Sequence, residues 1–161
     1  MIPAKIIVED SNAGYEFYCR LSQGKKWNVE SVDGKSNVFG KILGNEEGEI
    51  VLVIADGAAF GPEMDRIMKL LNKKKNIVLY LPESFEWLIL KSDILNDKEV
   101  REILTDVSQY VECTKYFSWE RYFTALLIEK TKGSYLQYTK KKLNSAYLQE
   151  YVQKRICLQM E

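Results

Sequence analysis

Histidine does not occur in this chain of 161 residues. Its absence excludes Ser-His and Cys-His nucleophile systems and the common zinc sites. Any acid–base or metal chemistry must then rest on carboxylates, Lys, Tyr or Cys. The cysteines, Cys19, Cys113 and Cys157, are far apart and form no CxxC pair, so neither a zinc site nor a disulfide framework is indicated. No apolar run approaches the ~20 residues of a membrane span. The opening "MIPAKIIVED" lacks a signal-peptide pattern, because its apolar stretch is short and closes on acids. The expected location is the cytoplasm, with no membrane partner.

Charge is balanced overall but unevenly placed. Residues 1–113 carry 14 basic and 19 acidic side chains, a net −5; residues 114–161 carry 9 basic and 4 acidic, a net +5. Such asymmetry marks either a segment that meets polyanions or two halves of one molecule that attract each other.

Short apolar runs alternate with helical patterns through the first two thirds. "KIIVED" from Lys5 reads as a buried strand, and Ser11 or Asn12 opens a helix with Tyr15, Tyr18 and Leu21 on one face. Lys26–Val32 alternates as a second strand. "DGKSNVFGKIL" turns at Asp33-Gly34 into a helix ending near Gly44. "IVLVIA" from Ile50 is the clearest strand. Pro62 suits the start of a helix with Met64, Ile67, Met68 and Leu71 on its apolar face. Ile77–Leu81 is a fourth strand, Pro82 and Ser84 open a further helix, and Asn96 and Glu99 stand at capping-box spacing. Runs that are apolar on both faces suit a parallel sheet covered on both sides. The expected fold is therefore α/β: a four-stranded, mainly parallel sheet with flanking helices over residues 1–95, and a helical extension over 96–161.

Gly34-Lys35-Ser36 invites a phosphate-loop reading. That motif needs a glycine where this chain has Val29, so the reading fails. Lys35 and Ser36 instead open a helix at the sheet rim, where backbone N–H groups can meet an anion. The carboxylates are more informative. Glu9 ends the first strand, Asp56 follows the third, and Glu83 and Glu86 follow the fourth. In a parallel sheet these positions share the carboxyl edge, and acids from several strand ends can converge on one hard cation. In the last third, Tyr135, Tyr138, Tyr147 and Tyr151 lie among basic residues that include Lys140, Lys141 and Lys142. Lysines neutralise phosphates and aromatic faces stack on bases. For the tyrosines, packing in a core is the plainer reading; for Lys140–Lys142, phosphate contact and simple solvation stand level.

The segments "IIVED", "DGKSNVFGKI", "LVIADGAAFG" and "LPESFEWLIL" together resemble the TOPRIM family, over roughly residues 4–95. The style is closest to OLD-like nucleases and small stand-alone TOPRIM proteins. The resemblance implies a Rossmann-like sheet and a Mg2+- or Mn2+-dependent centre acting on nucleic acid, such as a nuclease. Glu9 matches the family's glutamate after the first strand and Asp56 the first acid of its DxD. Glu86 aligns with a glutamate in the later segment. It implies Glu9 and Asp56 as catalytic residues and Glu9, Asp56 and Glu86 as metal ligands. Two departures stand out: Ala58 replaces the second acid of DxD, and Asp10 replaces the family's usual glycine. They leave a second expectation beside the enzyme, a non-catalytic TOPRIM-like module that binds nucleic acid or a protein partner.

Overall fold

The computed structural model describes residues 5–25, 27–44, 48–56, 64–107 and 119–160. Contacts divide the chain into two compact units, Met1–Pro82 and Glu83–Glu161.

The first unit is α/β. Its strands are β1 (Lys5–Val8), β2 (Asn28–Ser31), β3 (Val51–Ile54) and β4 (Ile77–Tyr80), and its helices are α1 (Ala13–Ser22), α2 (Lys35–Gly44) and α3 (Met64–Lys73). The strands form one sheet in the order β2-β1-β3-β4, and every pairing is parallel. Side chains alternate across this sheet. Ile7, Val53 and Leu79 stand in one row across β1, β3 and β4, and they pack with Val38, Phe39 and Ile42 of α2 and Ile67 of α3. Ile6 and Val8 point to the opposite face, where a right-handed β1–α1–β2 crossover puts α1. Phe17 and Tyr18 give α1 its buried side.

Reversal of strand order has a positional consequence. β1 connects outward to β2 on one side, and the chain then returns past β1 to build β3 and β4 on the other. The carboxyl ends of β1 and β3 therefore flank the switch point, where open α/β sheets form a crevice. β2 forms one edge. Glu30 on it is gripped by Lys5 and Lys41, each at 3.1 Å. This ion-paired edge strand is a poor template for further pairing.

The second unit contains α4 (Phe85–Lys91), α5 (Lys98–Thr105), α6 (Trp119–Thr131) and α7 (Glu150–Cys157), with 3-10 turns at Ser145–Leu148 and Leu158–Met160. The division at Pro82 assigns α4 to the helices, although its sequence runs on from the fourth strand. Phe85, Leu88, Ile89 and Leu90 are all buried, so this short helix is apolar nearly all round. Ser84 caps it, accepting the Trp87 N–H at 3.0 Å. Residues 145–160 do not form one helix: the chain breaks at Gln149, which takes extended backbone between the 3-10 turn and α7. Among the described residues no helix is long and apolar enough to cross a membrane.

Two helix starts differ from the sequence reading. Asn12 occupies the cap position of α1 but makes no side-chain cap. Asp10 does that work: its carboxylate accepts the N–H groups of Asn12 and Gly14, each at 2.9 Å. At α5 the cap is Asp97, which accepts the Val100 N–H at 3.0 Å. Asn96 instead takes a left-handed backbone, φ 49°, in the turn before it. Asp97 also pairs with Lys130, which holds its carboxyl below the usual range after the larger effect of the Val100 N–H.

Candidate functional site

The carboxyl edge of the sheet is built by extending its ladder one residue past β1. The Glu9 N–H donates to the Ile54 carbonyl at 3.0 Å, and the Glu9 carbonyl accepts the Gly34 N–H at 3.1 Å. The backbone of Glu9 is thus pinned from β3 on one side and from the β2–α2 turn on the other. Its side chain then reaches across the switch point. Oε2 accepts the backbone N–H of Asp56 at 3.0 Å. Both residues are half-buried. Asp56 follows Ile54 and Ala55, and the Ala55 N–H donates to the Tyr80 carbonyl at 3.2 Å. The end of β3 is therefore fixed from both neighbouring strands.

The adjoining turns are stitched together. Ser31 Oγ donates to the Asp10 carbonyl at 3.0 Å, and Ser11 Oγ donates to Asp33 Oδ1 at 2.9 Å. Asp33 and Gly34 both take positive φ, 53° and 118°, so the chain doubles back into α2. Asn37 Nδ2 closes this turn on the Val32 carbonyl at 2.8 Å. The result is a small acidic rim: Glu9 and Asp56 across the crevice, with Asp10 and Asp33 tied into the turns beside them.

Glu9 and Asp56 are brought together. Lys35 begins α2, with its side chain outside the described residues, and Ser36 follows it, exposed. Ala58 lies outside the described residues. Glu86 belongs to the second unit, where it is buried and its Oε1 accepts the Tyr138 hydroxyl at 2.8 Å. Lys140 is half-buried there, and Lys141 and Lys142 are exposed. Asp10 is the residue whose role the sequence reading missed. A carboxylate directly after a strand and before a helix-opening Ser-Asn was the available signal, since acids favour helix N-termini.

The acid set fits one kind of metal centre better than another. A single Mg2+ usually keeps several waters and takes one or two carboxylates plus substrate phosphates. Glu9 and Asp56, at neighbouring strand ends, supply two carboxylates, the number such a centre takes. A two-metal centre clamps both attacking and leaving oxygens and needs a richer carboxylate set. Among the described residues no three His, Cys, Asp or Glu side chains are grouped so as to hold a metal ion. Comparison with protein-family models, curated proteins and solved structures finds no match to this chain.

Proposed function

We propose that the first unit is a TOPRIM-like module that holds one Mg2+ or Mn2+ between Glu9 and Asp56 and brings it to a phosphodiester of a nucleic acid. The observation that carries this reading is the Glu9–Asp56 hydrogen bond across the switch point. It orients the Glu9 carboxylate at the carboxyl edge of the sheet, next to the residue that follows β3. When bound, the cation polarises a phosphoryl oxygen and lowers the pKa of a coordinated water. The chain's own residues supply the rest. Glu9 is immobilised by the backbone of three strand ends and turns, so little entropy is lost on ligation. Asp56 adds the second negative charge. Ser36, exposed at the start of α2, offers a hydroxyl and a helix N-terminus to a phosphate oxygen. The test is cleavage of labelled single- and double-stranded DNA and RNA with Mg2+ or Mn2+. Metal-dependent products that disappear in Asp56→Asn support hydrolysis.

A second reading, binding without hydrolysis, is favoured by Ala58 at the position of the second acid and by the engagement of Glu86 with Tyr138. Metal-dependent binding of the same oligonucleotides, with no products from any of them, would select it.

A further inference from the structure

The segment from Thr131 to Gln149, which joins α6 to α7, carries four lysines and no acid. It is an ordered loop. The Ser134 hydroxyl donates to the Thr131 carbonyl at 2.8 Å, and the Thr131 hydroxyl accepts the Tyr138 N–H at 3.0 Å. Asn144 braces the loop from within: Nδ2 donates to the carbonyls of Tyr135 and Gln137 at 2.8 and 3.1 Å, while Oδ1 accepts the Ala146 N–H at 3.0 Å. Leu136, Tyr138, Leu143 and Tyr147 are buried and anchor it from beneath. The Tyr147 hydroxyl also donates to the Leu136 carbonyl at 2.6 Å.

The outer side of this loop forms an open cavity of about 580 Å³, whose walls include Ser134, Gln137, Thr139, Lys142, Asn144 and Ser145. Hydroxyls, amides, an ammonium and Leu143 line it, with no carboxylate among them. The nearby cations divide into two groups. Lys130 pairs with Asp97 and Glu99, and Lys154 with Glu150. Lys141 and Lys142 pair with no carboxylate among the described residues, so their charge is not neutralised locally. Between the wall residues Ser134 and Gln137, Tyr135 is 68% exposed, in contrast to the buried Tyr138 and Tyr147. Exposed lysines and an exposed aromatic residue on one loop are the combination that binds single strands, with phosphates on the cations and a base on the ring. A folded duplex offers no unstacked base to that ring.

We infer that the α6–α7 loop of the second unit is a binding surface for single-stranded nucleic acid, with phosphates at Lys141 and Lys142 and a base on Tyr135. This inference does not rest on the cation reading of Glu9 and Asp56. The experiment therefore uses the full chain in EDTA, with fluorescence anisotropy of a fluorescein-labelled oligothymidylate over a salt series. Affinity should fall with salt. The Lys141→Ala/Lys142→Ala double variant should reduce the log–log salt slope by about 1.4, two contacts at ~0.7 each for a single strand. Tyr135→Ala should weaken binding about tenfold at fixed salt, within the range for one stacked base, and leave the slope unchanged. All three positions are exposed, and unchanged melting curves will confirm that the variants fold. Lys69→Ala, at an exposed lysine of α3 in the first unit, should bind as the wild type does. The inference is overturned by absence of binding at low salt, by loop variants that bind like wild type, or by an equal loss of binding in Lys69→Ala. Tighter association with phosphatidylserine vesicles than with the oligonucleotide would also overturn it, in favour of a lipid surface.

Discussion

The Glu9 carboxylate accepts the backbone N–H of Asp56 at 3.0 Å, joining the ends of β1 and β3 across 47 residues of sequence. The bond ties two neighbouring strand ends through the Asp56 backbone, so it makes no demand on the side chain at that position. The β3 run needs no carboxylate to be buried, and Asp56 lies beyond its last paired residue. The bond places Glu9 and Asp56 at one crevice, and it uses the Asp56 backbone, not its side chain.

Gly34 supports that corner through its backbone. It sits at φ 118°, donates its N–H to the Glu9 carbonyl, and has open space where a Cβ would stand. Replacement by Ala meets no clash, so its cost is conformational, about 1–3 kcal/mol for a non-glycine residue held at such a φ. Urea denaturation of Gly34→Ala should show that loss. An unchanged midpoint would mean that the turn relaxes and does not position Glu9.

Glu86 and Tyr138 test a different claim, that this acid serves the interior of the helical unit. Tyr138→Phe keeps the packing and leaves a buried carboxyl without its donor, which costs about 1–3 kcal/mol. Glu86→Gln retains an acceptor oxygen for the same hydroxyl and should cost less. Neither change should alter the response to Mn2+. A Glu86→Gln protein of normal stability that no longer responds to Mn2+ would give Glu86 a ligand's role instead.

Glu30 provides a pH signature for the sheet edge. Its hydrogen bond with Lys5, followed by that with Lys41, holds its carboxyl below the usual range. A depressed folded-state pKa contributes stability above the unfolded value, roughly 4.3, and that stability is lost as pH falls through the lower folded value. Glu30 is partly solvated, so the expected gap between wild type and Glu30→Gln at pH 7 is only about 0.2–1 kcal/mol. Chemical denaturation at pH 7 and at pH 3 should show the gap narrowing in acid. A gap that widens in acid would contradict the pairing.

The fold was readable because three of its strands are largely apolar on both faces, β2 alternates, and their spacing forces crossovers. Ile6 to Val8, Val51 to Ile54 and Ile77 to Leu79 announce a covered parallel sheet before any pairing is known. Helix starts were less legible, because neighbouring polar residues compete for one set of N–H groups. Asp10 displaced Asn12, and Asp97 displaced Asn96, each by direct geometry that sequence spacing cannot rank. Glu9 and Asp56 stood out by position at strand ends. Glu86 occupies an equally suggestive position, yet its carboxyl meets Tyr138, 52 residues later. A partner that distant leaves no local signal. All four tyrosines read as core; Tyr138 and Tyr147 are buried, whereas Tyr135 and Tyr151 are exposed. Composition alone does not separate them.

The central claim is that Glu9 and Asp56 hold one divalent cation, and thermal melting over a Mn2+ titration tests it most directly. A ligand that binds only the folded state raises stability by mass action, so the wild-type midpoint should climb with Mn2+ concentration through the millimolar range. Asp56→Asn keeps the backbone N–H that Glu9 accepts but removes a charge. Without metal it should melt no lower than wild type, since repulsion between the two carboxylates is relieved. With Mn2+ its midpoint should stay flat, as should that of Glu9→Gln. A wild-type midpoint indifferent to millimolar Mn2+, or an equal rise in wild type and Asp56→Asn, would contradict the account.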